Sequence, residues 1–248
     1  MAASAPYAIP VIANAVRQIQ PQSILDVGVG FGKYGVLFRE YVDVWSAKNA
    51  NETKRGGWRM RLEGIEVFPD YLSPLHDYIY DQIHIGQAES VIDSLGQYDV
   101  IFMGDVLEHF TKEDGQRMIQ KLYEHATKCV LLTYPRDAQK RDGILENPAE
   151  AHLSTWSDED FKPFPRFAYT VLENRADVCA LAKPPFDPPF LVGCFAARKR
   201  TGWKGVVANG LVSILGPSKA SAIVSKLAGE RIALRKENLS RVGAEGTL

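Results

Sequence analysis

The chain has 248 residues, 46% of them hydrophobic, and a formal net charge of −1. That length and apolar content suit one large α/β domain, and the near-neutral balance argues against a dedicated nucleic-acid binder, which carries a basic excess; no DNA partner is expected. The three cysteines, Cys129, Cys179 and Cys194, show no CxxC spacing, and Cys129 and Cys194 lie in apolar runs suited to buried, reduced thiols. The amino terminus lacks the basic-then-apolar pattern of a signal peptide, and no run approaches the ~20 apolar residues of a membrane span. A cytoplasmic protein without a transmembrane segment is expected.

Residues 8–19 (AIPVIANAVRQI) carry apolar side chains at helical spacing, and Pro21 ends the segment. SILDVG (23–28) reads as a buried strand and KYGVLFREYVDVW (33–45) as a helix with one apolar face. Residues 46–61 form a polar, locally basic surface insertion containing Lys48, Lys54, Arg55, Arg59 and Arg61. RLEGIEVF (61–68), QIHIG (82–86), YDVIFMGD (98–105) and KCVLLTYP (128–135) read as further strands, with helices near 71–80 and over 112–126. Strands alternating with helices imply a parallel sheet with right-handed crossovers. Residues 136–165 are loop-rich and long enough to serve as an active-site loop, with Ser157 capping a helix start at WSDEDF. The runs 167–182 and 190–199, separated by KPPFDPP, predict a late antiparallel strand pair. The main domain thus extends over 1–200. The tail, 201–248, holds seven Lys/Arg against three Glu and a helical apolar spacing; it is expected to pack on the body or to join a second copy in a homodimer.

The stretch ILDVGVGFGKYG (24–35) raises the question of a ligand. A phosphate loop requires a lysine–hydroxyl pair, and Lys33 is followed by Tyr34. A dinucleotide fingerprint is matched by Gly30, Gly32 and Gly35, but no acid stands about twenty residues on except Glu52 in the insertion. A third pattern is a strand followed by DxGxGxG, met by Asp26, Gly28, Gly30 and Gly32. With Glu66 in GIEVF and the fourth-strand stretch YDVIFMGDVLEHF, it resembles the class I S-adenosylmethionine-dependent methyltransferases over about residues 20–200.

That resemblance implies a doubly wound, Rossmann-like α/β fold with a seven-stranded, mostly parallel sheet whose last strand is antiparallel. It implies S-adenosylmethionine as cofactor, with Asp26 at the strand tip, Gly28, Gly30 and Gly32 along the ligand, and Glu66 on the ribose hydroxyls. Gln87 and Ala88 stand near the adenine, although Gln87 replaces a common aspartate, and Asp105 stands at the mouth. The combination DVGxGFGKYG, GIExFxxY, DVLEHF and NPxExHxSxW is similar to members that serve glycan or secondary-metabolite pathways, so a hydroxyl of a small molecule or glycan is the expected acceptor. An RNA ribose hydroxyl, an inactive cofactor-binding module and a nicotinamide-dependent enzyme are the alternatives.

Methyl transfer needs an aligned nucleophile and, for a hydroxyl, a proton acceptor. Asp105, His109 and His152 are the catalytic candidates. Asp105, Glu108 and His109, spaced i, i+3, i+4, share one face of a helical turn if one forms there. With His152 they make a metal set similar to that of small-RNA 2′-O-methyltransferases, where a divalent ion such as Mg²⁺ orients the acceptor; a set with histidines is not the all-oxygen cage Mg²⁺ prefers. Without a metal, Glu108 and His109 cap the turn. His76, His84 and His125 read as surface residues. Tyr134, Trp156, Phe161, Phe164 and Phe167 are candidates for an acceptor pocket, and Arg136, Lys140 and Arg141 for an anionic group.

Overall fold

The central strands are apolar on both faces because both faces are covered. In the computed structural model, which describes residues 6–135, 142–143, 147–164, 167–172 and 176–186, seven strands form one sheet. They are β1 (Ser23–Val27), β2 (Arg61–Glu66), β3 (Gln82–Ile85), β4 (Tyr98–Gly104), β5 (Ala126–Pro135), β6 (Phe167–Leu172) and β7 (Ala176–Ala182), in the order β3-β2-β1-β4-β5-β7-β6. The first five are parallel, and β7 runs antiparallel to both β5 and β6. Successive strand residues feed opposite layers. Ile24, Val100, Phe102 and Leu131 pack with α1 (Ile9–Ile19) and α2 (Lys33–Phe38), whereas Leu25, Ile101, Met103 and Leu132 pack with α4 (Ala88–Val91) and α5 (Lys112–His125). The fold is therefore doubly wound, as the alternation of elements predicts.

One expectation is corrected. The run 167–182 is two strands rather than one, so the antiparallel pair is β6 and β7 inside it, with Phe167 opposite Leu181. The segment's sixteen residues exceed the five or six of an ordinary strand, and the polar Glu173, Asn174 and Arg175 between the two strands are the local signal of the reversal. The run 190–199, Cys194, Arg136, Lys140, Arg141 and the tail 201–248 lie outside the described residues.

Near the amino-terminal half, α2 continues as a π-helical stretch over Arg39–Val44. Arg39 within it is 2% exposed and gathers distant chain segments. Its guanidinium donates to Asp43 Oδ2 at 3.0 Å, to the Met60 carbonyl, to the Ile79 carbonyl at 2.8 Å and to Asp81 Oδ2 at 3.0 Å. Asp43 Oδ1 in turn accepts from the Arg59 and Met60 amides. Arg39 thus ties the insertion's exit and the end of α3 (Pro74–Ile79) to the first crossover.

Burial pushes the Cys129 thiol up to about 12 and the Cys179 thiol well above its ordinary value, so both stay protonated and act as core residues. Among the described residues no helix is long and apolar enough to cross a membrane.

Candidate active site

Strand order reverses between β1 and β4, and in open α/β sheets the ligand crevice lies beyond the strand ends at that point. A cavity of about 580 Å³ opens there, between the glycine loop and the ends of β2 and β4. It falls in the range of small-molecule sites.

The loop's conformation explains its glycines. Gly28 has φ +80°, and an added Cβ would stand 2.4 Å from Val106 Cγ2; neither the conformation nor the space suits a side chain. The amides of Gly28 and Val29 both donate to the Ile65 carbonyl, clamping the loop to the end of β2. Glu66, 4% exposed, accepts from the Gly30 amide and from the Phe68 amide, each at 2.9 Å. Burial raises its carboxyl above the ordinary range, the backbone donors oppose that rise, and the charge of Glu150 adds to it.

Asp26 lies beneath the loop, 2% exposed, and is not part of the cavity wall. Its Oδ2 accepts from the Tyr80 hydroxyl at 2.6 Å. Burial pushes its carboxyl to about 7, against the Tyr80 hydrogen bond and helped by Glu66. Tyr80 reaches Asp26 only because Gly35 has no Cβ, which would stand 2.4 Å from the ring. The third glycine of the dinucleotide-like match is therefore a packing glycine.

His76 corrects the expectation of a surface residue. It is 2% exposed, and its Nδ1 accepts from the Ser73 amide at 3.0 Å. The proton consequently sits on Nε2, which donates to the Gly30 carbonyl at 2.9 Å. His76 and Tyr80, both from the α3 region, brace the glycine loop from below. The signal available in the sequence was the Ser73-to-His76 spacing of a capping box; nothing local pointed to Gly30.

At the opposite wall, Asp105 follows β4 with φ +53°, a conformation aspartate tolerates better than most residues. Its amide donates to the Thr133 carbonyl at 2.8 Å, and the Thr133 hydroxyl donates to its Oδ1 at 3.0 Å. Lys33 shares this wall; burial lowers its ammonium, and the Asp105 charge opposes that. Gln87 and Ala88, at the start of α4, border the cavity next to Gly86.

The segment after Asp105 is a 3₁₀ turn over Leu107–His109, which separates the expected four-residue set. Glu108, His109 and His152 come together, with donor atoms within 4.8 Å of one another, and Asp105 is outside that group. The i, i+3, i+4 argument fails because the turn begins at Leu107, and the left-handed Asp105 precedes it. His109 borders the cavity. Its Nδ1 donates to the Ala151 carbonyl at 3.0 Å, which leaves the lone pair of the neutral ring on Nε2. Its ring meets that of His152 edge-on at 5.1 Å. The chain around His152 is held by Glu108, whose carbonyl accepts from the Leu153 and Ser154 amides, and by the Trp156 indole donating to the Leu107 carbonyl.

Tyr134, Trp156 and Phe161 belong to the core, with Phe164 packed against it, and none borders the cavity. The aromatic wall is instead Phe31, Tyr34, Phe68, Tyr71 and Phe110. Phe31 and Tyr71 stand 5.1 Å apart, and Phe31 is 52% exposed at the mouth. Only the tertiary fold brings these rings together, from the glycine loop and the start of α2, the turn after β2 and the turn after β4. In the insertion, Arg55 donates to the Tyr78 and Tyr80 carbonyls, Arg59 pairs with Glu52 and Arg61 with Glu63.

No protein-family model matches the sequence, and no curated protein sequence matches it. Among solved structures, an O-methyltransferase family protein from Burkholderia thailandensis is similar with a TM-score of 0.50 and 9% identity, over 70% of this chain and 54% of that one. The fold is that of the class I methyltransferases. This chain spans about half the length of that relative. The plantazolicin methyltransferase BamL aligns at a TM-score of 0.49 with 13% identity, over 72% of this chain and 85% of that chain. An O-methyltransferase from Bacillus cereus aligns at 0.48 with 11% identity, over 73% and 83%. On this methyltransferase fold the cavity occupies the crevice between the carboxyl ends of β1 and β4.

Proposed function

We propose that the chain is an S-adenosylmethionine-dependent methyltransferase acting on a hydroxyl of a small molecule or glycan. The observation that carries this reading is the charge of the crevice. Glu66, Glu89, Asp105, Asp114 and Glu150 border it, against Lys33 as the lysine or arginine among its described wall residues. A field of that sign attracts a sulfonium with an ammonium and repels a dinucleotide's phosphates.

When bound, the cofactor supplies an electrophilic methyl group. The chain positions it: the loop of Gly28, Gly30 and Gly32 lies along it, Glu66 accepts from ribose hydroxyls, Gln87 and Ala88 flank the adenine, and Asp105 faces the methionine end. His109 Nε2, on the cavity wall, takes the acceptor's proton, with His152 beside it as the next station. Asp26 contributes from beneath the loop rather than by contact.

Calorimetry tests the reading without knowledge of the acceptor. S-adenosylmethionine and S-adenosylhomocysteine are expected to bind and NAD⁺ not; failure of S-adenosylmethionine to bind, or preference for NAD⁺, would sink it. The ribose-of-RNA alternative needs a basic channel, and Arg55, Arg59 and Arg61 already have partners within the fold. Salt-sensitive RNA binding would revive it.

A second reading of the imidazole cluster rests on its geometry. One carboxylate and two imidazoles with donors within 4.8 Å fit a borderline divalent ion such as Zn²⁺ or Co²⁺ better than Mg²⁺, which prefers oxygens. Glu108, His109 and His152 would hold the ion, which would supply Lewis acidity to an acceptor oxygen; the Ala151 carbonyl already orients His109 as an outer-shell partner does. Titration with Co²⁺ separates the two readings. Metal binding predicts visible absorption bands and about 2.7 kcal/mol of stabilisation at a hundredfold excess over Kd, both lost in His152→Ala. No bands and no stabilisation leave the histidines as proton acceptors.

A further inference from the structure

The segment 147–153 crosses the crevice from the imidazole cluster to the β2 side, where it presents Glu150. This carboxylate is 7% exposed and borders the same cavity as Glu66. Its position is built by partners from two parts of the chain. The Tyr71 hydroxyl donates to Glu150 Oε1 at 3.3 Å, and Asn147 Nδ2 donates to the Tyr71 oxygen at 3.2 Å. Asn147, 3% exposed, is itself set by the Ala149 amide, which donates to its Oδ1 at 2.9 Å. Tyr71 is fixed by ring contacts with Phe31 and Phe68. A buried glutamate on a ligand-sized cavity, aimed by a buried asparagine and a tyrosine, is costly to maintain as mere surface decoration.

Glu66 and Glu150 lie near enough for the charge of one to act on the other. Ionised carboxylates only accept hydrogen bonds, so two on one wall call for a ligand with adjacent donors. The ammonium of the cofactor belongs with Asp105 and the glycine loop, on the β1–β4 side. The wall formed by Phe68, Tyr71, Glu66 and Glu150 sets aromatic rings beside carboxylate acceptors, with the Tyr71 hydroxyl already donating to Glu150, which matches a sugar ring carrying neighbouring hydroxyls.

We propose that Glu150 is a cofactor-binding residue that, with Glu66, brackets the ribose diol, so that the segment carrying His152 also closes on the cofactor. This rests on the S-adenosylmethionine reading. It gives Glu150 a specific chemical partner, and it gives Tyr71 and Asn147 the role of positioning residues.

The test compares two ligands that share the diol and differ at the other end: S-adenosylhomocysteine and 5′-methylthioadenosine, which has no amino-acid group. Glu150→Gln keeps the size and the acceptor for Tyr71. It is expected to weaken both ligands about ten- to a hundredfold, the loss of one hydrogen bond to a charged group, with a cooperative melting transition retained. Tyr71→Phe is expected to weaken both by a smaller factor, since the glutamate remains but loses its guide. A 2′,3′-dideoxy analogue of methylthioadenosine, which lacks both hydroxyls of the diol, should bind wild type and Glu150→Gln with similar affinity. Unchanged affinities in Glu150→Gln overturn the proposal, as does a loss confined to S-adenosylhomocysteine, which would place Glu150 at the amino-acid end. If wild type binds neither ligand, the functional reading itself falls, and this inference with it.

Discussion

Arg39→Met is expected to lower folding stability by about 3–5 kcal/mol, the cost of leaving a buried partner charge without its counter-ion. The guanidinium serves Asp43, Asp81 and the carbonyls of Met60 and Ile79 from a position that is 2% exposed. Methionine fills much of the volume and satisfies none of those acceptors. Lysine restores the charge but lacks the planar fork that reaches several acceptors at once, so Arg39→Lys should recover only part of the loss. Urea denaturation measures both, and a loss below about 1 kcal/mol in Arg39→Met would fall within the ordinary effect of a point substitution and sink the argument. The consequence extends to the crevice. Arg39 holds the carboxyl end of α3, and the α3 region carries His76 and Tyr80 against Gly30 and Asp26. Cofactor binding should therefore weaken in Arg39→Met even at temperatures where the protein remains folded.

The second large effect is a pH dependence opposite to that of most carboxylates. Burial raises the Asp26 carboxyl from 3.8 to about 7. A folded value above the unfolded one means that the native state holds the proton more tightly, so this group's contribution is fully present below about pH 4. It is lost as pH rises through about 7. At about 1.36 kcal/mol per tenfold change in proton affinity, the contribution is at most about 4 kcal/mol. Asp26→Asn keeps an acceptor for the Tyr80 hydroxyl and cannot ionise. Its stability relative to wild type is therefore expected to rise steadily from pH 4 to pH 7.5, becoming the more stable protein at the upper end. Chemical denaturation of both proteins across that range is the measurement; a pH-independent difference between them would show that Asp26 titrates normally. Glu66, raised mainly by burial as well, remains in both proteins; its charge acts on Asp26, so the pH slope of the difference belongs to the pair.

The layout of the sheet was legible because its signals are local or periodic. Strands covered on both faces must be continuously apolar, and α5 repeats its buried Met118, Ile119 and Leu122 at helical spacing. The glycine loop was legible because few residues tolerate φ near +80° at Gly28 and Gly32, and an acid at the end of β2 has a position as soon as the strand is placed. The partners of these residues were not legible. His76 and Tyr80 lie 46 and 54 residues from Gly30 and Asp26, and nothing in their own segment distinguishes a helix face turned to solvent from one turned to a loop. The aromatic set expected at the acceptor pocket went into the core for the same reason: Trp156 and Phe161 are placed by what lies across from them.

The crevice divides along that line. The sequence by itself determined a doubly wound sheet, a glycine turn after β1 and acids at two strand ends, because each follows from backbone conformation and side-chain periodicity within a few residues. Only the tertiary structure decided that Asp105 parts from Glu108 and His109, that His152 joins them, and that Glu150 comes beside Glu66. Those outcomes depend on where a 3₁₀ turn begins and how a loop beyond β5 folds back over it. Contacts across such separations are set by the packing of the whole chain, and no local pattern encodes them.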